Sequence, residues 1–99
     1  MGACDFTVGA KGATAKEAFS RAVEDARYES GHGGYTGTIG EKGTFVKMGA
    51  AKTKKEAYAM AQKFMDDGDS RIDDKWGPAG CIEVEEGSGF YLFFGWASS

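Results

Sequence analysis

An α+β fold of ferredoxin-like type, ordered β-α-β-β-α-β with an extra C-terminal strand, is predicted by three features of the 99-residue chain. Strand-like and helix-like patterns alternate, two segments resemble each other, and two Thr-x-x-Glu boxes each open an apolar helical stripe. The length suits one domain with a single core, so residues 1–99 are read as one unit. Apolar residues at 41% and charged residues at 27% are ordinary globular usage and argue against disorder.

The duplication comes first, because it organises the rest. Residues 6–19 read FTVGAKGATAKEAF and residues 45–58 read FVKMGAAKTKKEAY. Each has an aromatic strand start, a Gly/Ala/Lys connection, a Thr, then Lys-Glu-Ala and an aromatic. A second pair, HGGYTGTI at 32–39 and KWGPAGCI at 75–82, aligns Gly34 with Gly77, Gly37 with Gly80 and Ile39 with Ile82. The repeat units therefore cover about 4–40 and 44–86, followed by a strand at 90–96.

Strands are expected at about 4–9, 35–40, 44–48, 81–86 and 90–96. Thr14 with Glu17 and Thr53 with Glu56 mark the helix starts, the hydroxyl capping a terminal N–H while the carboxylate reaches back. Ala15, Ala18, Phe19, Ala22, Val23 and Ala26 form one stripe, and Ala57, Met60, Ala61, Phe64 and Met65 the other. Gly68 should end the second helix. Residues 41–43 and 86–89 suit hairpins. Right-handed crossovers then give an antiparallel sheet of order 5-4-1-3-2 with both helices on one face.

Charge and composition exclude several functions. Fifteen acidic residues against twelve Lys and Arg leave a net charge of -3, so no global positive field recruits nucleic acid. No apolar run is long enough to span a membrane, and the first residues lack the basic end and apolar stretch of a secretory signal, which points to a cytoplasmic protein. Two cysteines, Cys4 and Cys81, and one histidine, His32, are too few for a structural zinc site, and no cofactor is expected. Cys4 and Cys81 open neighbouring antiparallel strands from opposite ends, about 15 Å apart, so two free thiols are expected. The acidic run Asp66, Asp67, Asp69, Asp73 and Asp74 lacks EF-hand spacing.

Two features point to binding. The strand Phe90-Tyr91-Leu92-Phe93-Phe94-Gly95-Trp96 is apolar on both faces; either it is buried on both sides within the monomer or it forms a sheet-to-sheet dimer, and a homo-oligomer is the expectation. The loop Gly31-His32-Gly33-Gly34-Tyr35-Thr36-Gly37 holds four glycines in seven residues, more than one helix cap needs. Its backbone N–H groups suit an anion, and His32 and Tyr35 add a titratable ring and a stacking surface. In the expected fold this loop adjoins the second helix start, with Lys52, Thr53, Lys54 and Lys55. The equivalent Lys75-Trp76-Gly77-Pro78 adjoins the first, with Lys11 and Lys16. Helix N-termini with clustered Lys favour anions, so two pseudo-equivalent sites result. The long connection from 68 to 79 suggests that Arg71, Lys75 and Trp76 serve a site as well.

The strings YESGHGGYTGTI (28–39), RIDDKWGPAG (71–80) and LFFGWAS (92–98) resemble a family of small proteins of bacteria and bacteriophages. The resemblance spans most of the chain and implies no catalytic residue. By analogy with small phage proteins, it suggests an inhibitor of host defence that sequesters a nucleotide immune signal. The leading reading is a non-enzymatic, oligomeric binder of a small anionic, nucleotide-like ligand. The alternatives are a protein-interaction module acting through the aromatic last strand, and a small phosphodiesterase or lyase using His32 as base.

Overall fold

The computed structural model describes residues 3–30, 39, 42–72, 77–85 and 87–98. Among these residues four strands and two helices follow in the order β1 (Ala3–Lys11), α1 (Ala15–Ser30), β2 (Phe45–Ala51), α2 (Lys54–Asp66), β3 (Ala79–Val84) and β4 (Phe90–Ser98). They form an α+β domain around one mixed sheet of order β1-β4-β3-β2. β1 and β4 are antiparallel in unbroken register from Ala3↔Ser98 to Lys11↔Phe90. β4 and β3 are antiparallel, whereas β3 and β2 are parallel, joined through α2.

The helices begin where the Thr-x-x-Glu boxes lie. The Glu17 N–H donates to Thr14 Oγ1 at 3.2 Å, and the Glu56 N–H to Thr53 Oγ1 at 3.1 Å. Glu56 reaches back one residue further than expected, its Oε1 accepting from the Lys52 N–H at 3.2 Å. At the far end of α2 the Gly68 N–H donates to the Met65 carbonyl and the Asp69 N–H to that of Phe64, the paired bonds of a Schellman cap. That cap needs a left-handed residue at its turn, and Gly68 supplies it with φ of 66°.

The expected stripes are the buried ones. Ala18, Phe19, Ala22 and Val23 of α1 are buried, as are Ala57, Ala61 and Met65 of α2. The two stripes cover opposite faces of the sheet. Phe19 meets Phe93 with ring centroids 5.4 Å apart, while Phe64 stacks on Phe94 at 5.9 Å. Successive strand residues point to opposite faces, so α1 lies on one side and α2 on the other. Tyr91, Phe93, Ala79 and Cys81 belong to the α1 side; Leu92, Phe94, Ile82 and Val84 belong to the α2 side.

Two expectations are thereby corrected, and one of the two readings of the aromatic strand is selected. The antiparallel order 5-4-1-3-2 is replaced by a mixed sheet in which the aromatic last strand stands between β1 and β3. The helices cover both faces, not one. The aromatic strand is apolar throughout because each of its faces meets a helix, so it offers no exposed edge; Leu92, Phe93 and Phe94 are each 0% exposed. The expected strand at 35–40 lies outside the described residues except for Ile39, which is buried in a tight turn whose carbonyl accepts from the Lys42 N–H.

β2 carries one irregularity. Lys47 pairs with Cys81 and Gly49 with Ile82, so Met48 bulges. The bulge inverts the strand's alternation, which puts Val46 and Met48 before it and Ala51 after it on the α2 side.

Candidate functional site

Strand directions decide which candidate residues can meet. β1 and β2 both lead directly into helices, and the β3–β4 connection joins them at that same end, with the Gly12 N–H on the Gly89 carbonyl and the Glu85 N–H on the Ala51 carbonyl. Both helix starts therefore lie at one end of the sheet, on opposite faces. The helices run back, and the later turns of α1 flank residues 42 and 43, just before β2. Strands of six to nine residues separate the two ends by about 20 Å.

The candidate ligands divide accordingly. Lys11, Lys16, Lys52, Thr53 and Lys54 lie at the helix-start end, all exposed. Arg71 lies past the end of α2, at the opposite end. His32, Gly33, Gly34, Tyr35 and Thr36, which follow α1 in the chain, and Lys75 and Trp76, which precede Gly77, lie outside the described residues. The expected pairing of Gly77 and Pro78 with the start of α1 is corrected. Gly77 accepts from Lys42 Nζ at 2.9 Å, and the Ala79 N–H donates to the Thr44 carbonyl, so this segment adjoins the start of β2.

At the helix-start end, intramolecular partners already engage the groups an anion would need. A hollow of about 520 Å³ is lined by Ala50, Ala51, Lys52, Glu56 and Glu85, two carboxylates against one ammonium. Thr53 and Glu56 occupy backbone N–H groups there. Lys54 Nζ sits 4.6 Å over the Phe90 ring, a cation–π contact. At the α1 start, a Cβ on Gly12 would lie 2.5 Å from the Ala18 nitrogen, so glycine is needed for the chain to pass the helix. Arg71 is also engaged: it donates Nε and one Nη to the Asp69 carboxylate, at 3.0 and 2.9 Å, and sits 5.7 Å from the Phe64 ring centre. These hydrogen bonds hold the Asp69 carboxyl down at about 2.

The opposite end holds a different group. Phe19, Ser20, Val23, Glu24, Arg27, Lys42 and Gly43 line a hollow of about 290 Å³ between α1 and the approach to β2. Lys42 is only 3% exposed, a rare condition for a lysine, and it ties this approach to Gly77 across 35 residues of sequence. Arg27 and Lys42 were not among the sequence candidates. Arg27 sits in the polar last turn of a helix and Lys42 in a short polar link, and nothing local distinguishes either from solvated surface.

Catalytic groups are scarce among the described residues. Cys81 is a free thiol, 0% exposed, and burial pushes it up to about 12, so it stays protonated and unreactive at neutral pH. Cys4 pairs with Ala97 and Cys81 with Phe93, which separates their Cα atoms by about 16 Å and excludes a disulfide, by strand register and not by the expected opposition of strand ends. Among the described residues no three His, Cys, Asp or Glu side chains gather to hold a metal, and no helix is long and apolar enough to cross a membrane. Comparison with protein-family models, with curated proteins and with solved structures finds no match.

Proposed function

We propose that the protein is a non-enzymatic binder of a small anionic, nucleotide-like ligand, held at the end of the sheet where α1 finishes and β3 begins. The observation that carries this reading is the convergence of Arg27 and the buried Lys42 on one hollow of about 290 Å³. Among the described residues lining it, two cations stand with the carboxylate of Glu24, a balance that favours an anion, and the Arg27 guanidinium has the fork geometry that suits phosphate oxygens. The volume is at the small end of ligand pockets and fits a mononucleotide or one half of a dinucleotide.

The glycine-rich segment supports the same end. It follows α1 directly, and Lys75-Trp76 directly precedes the Gly77 whose carbonyl Lys42 holds. In this reading backbone N–H groups of residues 33–36 and the Arg27 side chain take phosphate, Lys42, bonded to Gly77, adds its charge from behind, and Tyr35 or Trp76 stacks on a base. Lys52, Lys54, Lys11 and Lys16 take no part in this site. By the analogy with small phage proteins, such a binder would sequester a nucleotide immune signal.

Thermal shift with cyclic dinucleotides, ADP-ribose derivatives and mononucleotides tests the reading. At least one should stabilise the fold by mass action, less so as salt rises. Arg27→Ala should lose that shift, and the Lys52→Ala/Lys54→Ala variant should keep it. No shift with any compound up to millimolar concentration overturns the proposal. Conversion of the compound, followed by mass spectrometry, would make the protein an enzyme instead.

A further inference from the structure

The sheet has two edges, and they differ. β2 is interrupted by the Met48 bulge, a device that discourages pairing with another chain. β1 has no such protection: it is nine residues long, holds no proline, keeps unbroken register with β4, and pairs with no other strand among the described residues. On its α1 side Phe6, Val8 and Ala10 pack against the core but stay only half buried. On its other side Asp5, Thr7, Gly9 and Lys11 are exposed.

We infer that β1 pairs antiparallel with β1 of a second copy, about a two-fold axis through Val8, to give one continuous eight-stranded sheet. The charges select both the partner and the register. An edge bearing one sign would repel its own copy, but this one bears Asp5 and Lys11, placed symmetrically about Val8. With Val8 opposite Val8, Asp5 faces Lys11 twice, Thr7 faces Gly9, and Phe6 faces Ala10. Directly opposed residues in antiparallel strands share a face, so each ion pair stays in solvent while the half-buried apolar strip continues across the junction. A shift of two residues keeps the faces matched but separates both ion pairs, and a shift of one turns the second copy over. Self-association through an edge that no described strand covers is an isologous contact that closes at two copies.

The inference rests on the sheet edge and not on the ligand hollow. Sedimentation of the full chain without added nucleotide tests it, with folding checked by circular dichroism. The wild type should run at twice the 10.5 kDa chain mass at micromolar concentration. Asp5→Lys and Lys11→Asp should each weaken the dimer on the order of tenfold, since each turns both ion pairs into like-charge contacts. The Asp5→Lys/Lys11→Asp double variant should restore it. Arg27→Ala should dimerise as wild type whether or not the ligand reading holds. A wild-type monomer, or a dimer indifferent to either single charge reversal, overturns the inference.

Discussion

Cys81 is enclosed on the α1 side of β3 by Phe93, Phe19 and their neighbours, and burial raises its thiol from 9.0 to about 12. The folded state therefore keeps a proton that the unfolded chain releases above about pH 9. The stability Cys81 contributes is complete below that value and is lost as pH rises from about 9 toward 12. At pH 10 the loss should be on the order of 1 kcal/mol. Tyr and Lys titrate in the same region, so the measurement is the difference between wild type and Cys81→Ala in denaturant midpoint from pH 8 to 10.5. The gap should narrow as pH rises. A constant gap would show that the thiol ionises alike in both states.

Among the elements, α2 has the most completely specified ends. Thr53 caps its first turn, Glu56 closes back on Lys52, and Gly68 turns the chain out of its last turn. Each satisfies backbone groups that a helix leaves unpaired. Thr53→Ala should cost about 1 kcal/mol, and Thr53→Ser should cost much less, because serine keeps the accepting hydroxyl. Urea unfolding of the two variants checks this. The result also bears on function: loss of the cap should leave any nucleotide-induced stabilisation unchanged, since the proposed ligand hollow lies at the other end of the sheet.

For the whole molecule, β4 is the organising strand. It pairs on both sides, and its odd and even residues build two separate cores under α1 and α2. Phe93→Ala and Phe94→Ala should each cost about 3–5 kcal/mol, although their side chains point in opposite directions. A sheet covered on one face would lose stability from only one of the pair. Chemical denaturation of both variants distinguishes the cases, and since small domains hold only about 5–15 kcal/mol in total, either change should leave the fold marginal.

The helix starts, the apolar stripes and the Gly68 stop were legible in the sequence because they arise within a few residues of chain, where capping geometry and the 3.6-residue period leave little choice. The double-sided apolar character of residues 90–96 was legible too, and burial within the monomer was one of its two readings. The choice between them rested on where the strand stood. Strand order could not be read locally: the pairing of β1 with β4 joins residues at opposite ends of the chain, and the same alternation suits an edge or a centre. The bulge at Met48 inverted the face of Ala51 without any local mark. The site followed the topology. Lys52 and Lys54 are brought to the same end as Lys11 and Lys16 by strand direction alone, while Lys42, an unremarkable residue in a polar link, is buried between α1 and the distant Gly77. Local interactions determine elements over a few residues, whereas a binding site is made by contacts between distant ones, and those exist only once the sheet has been assembled.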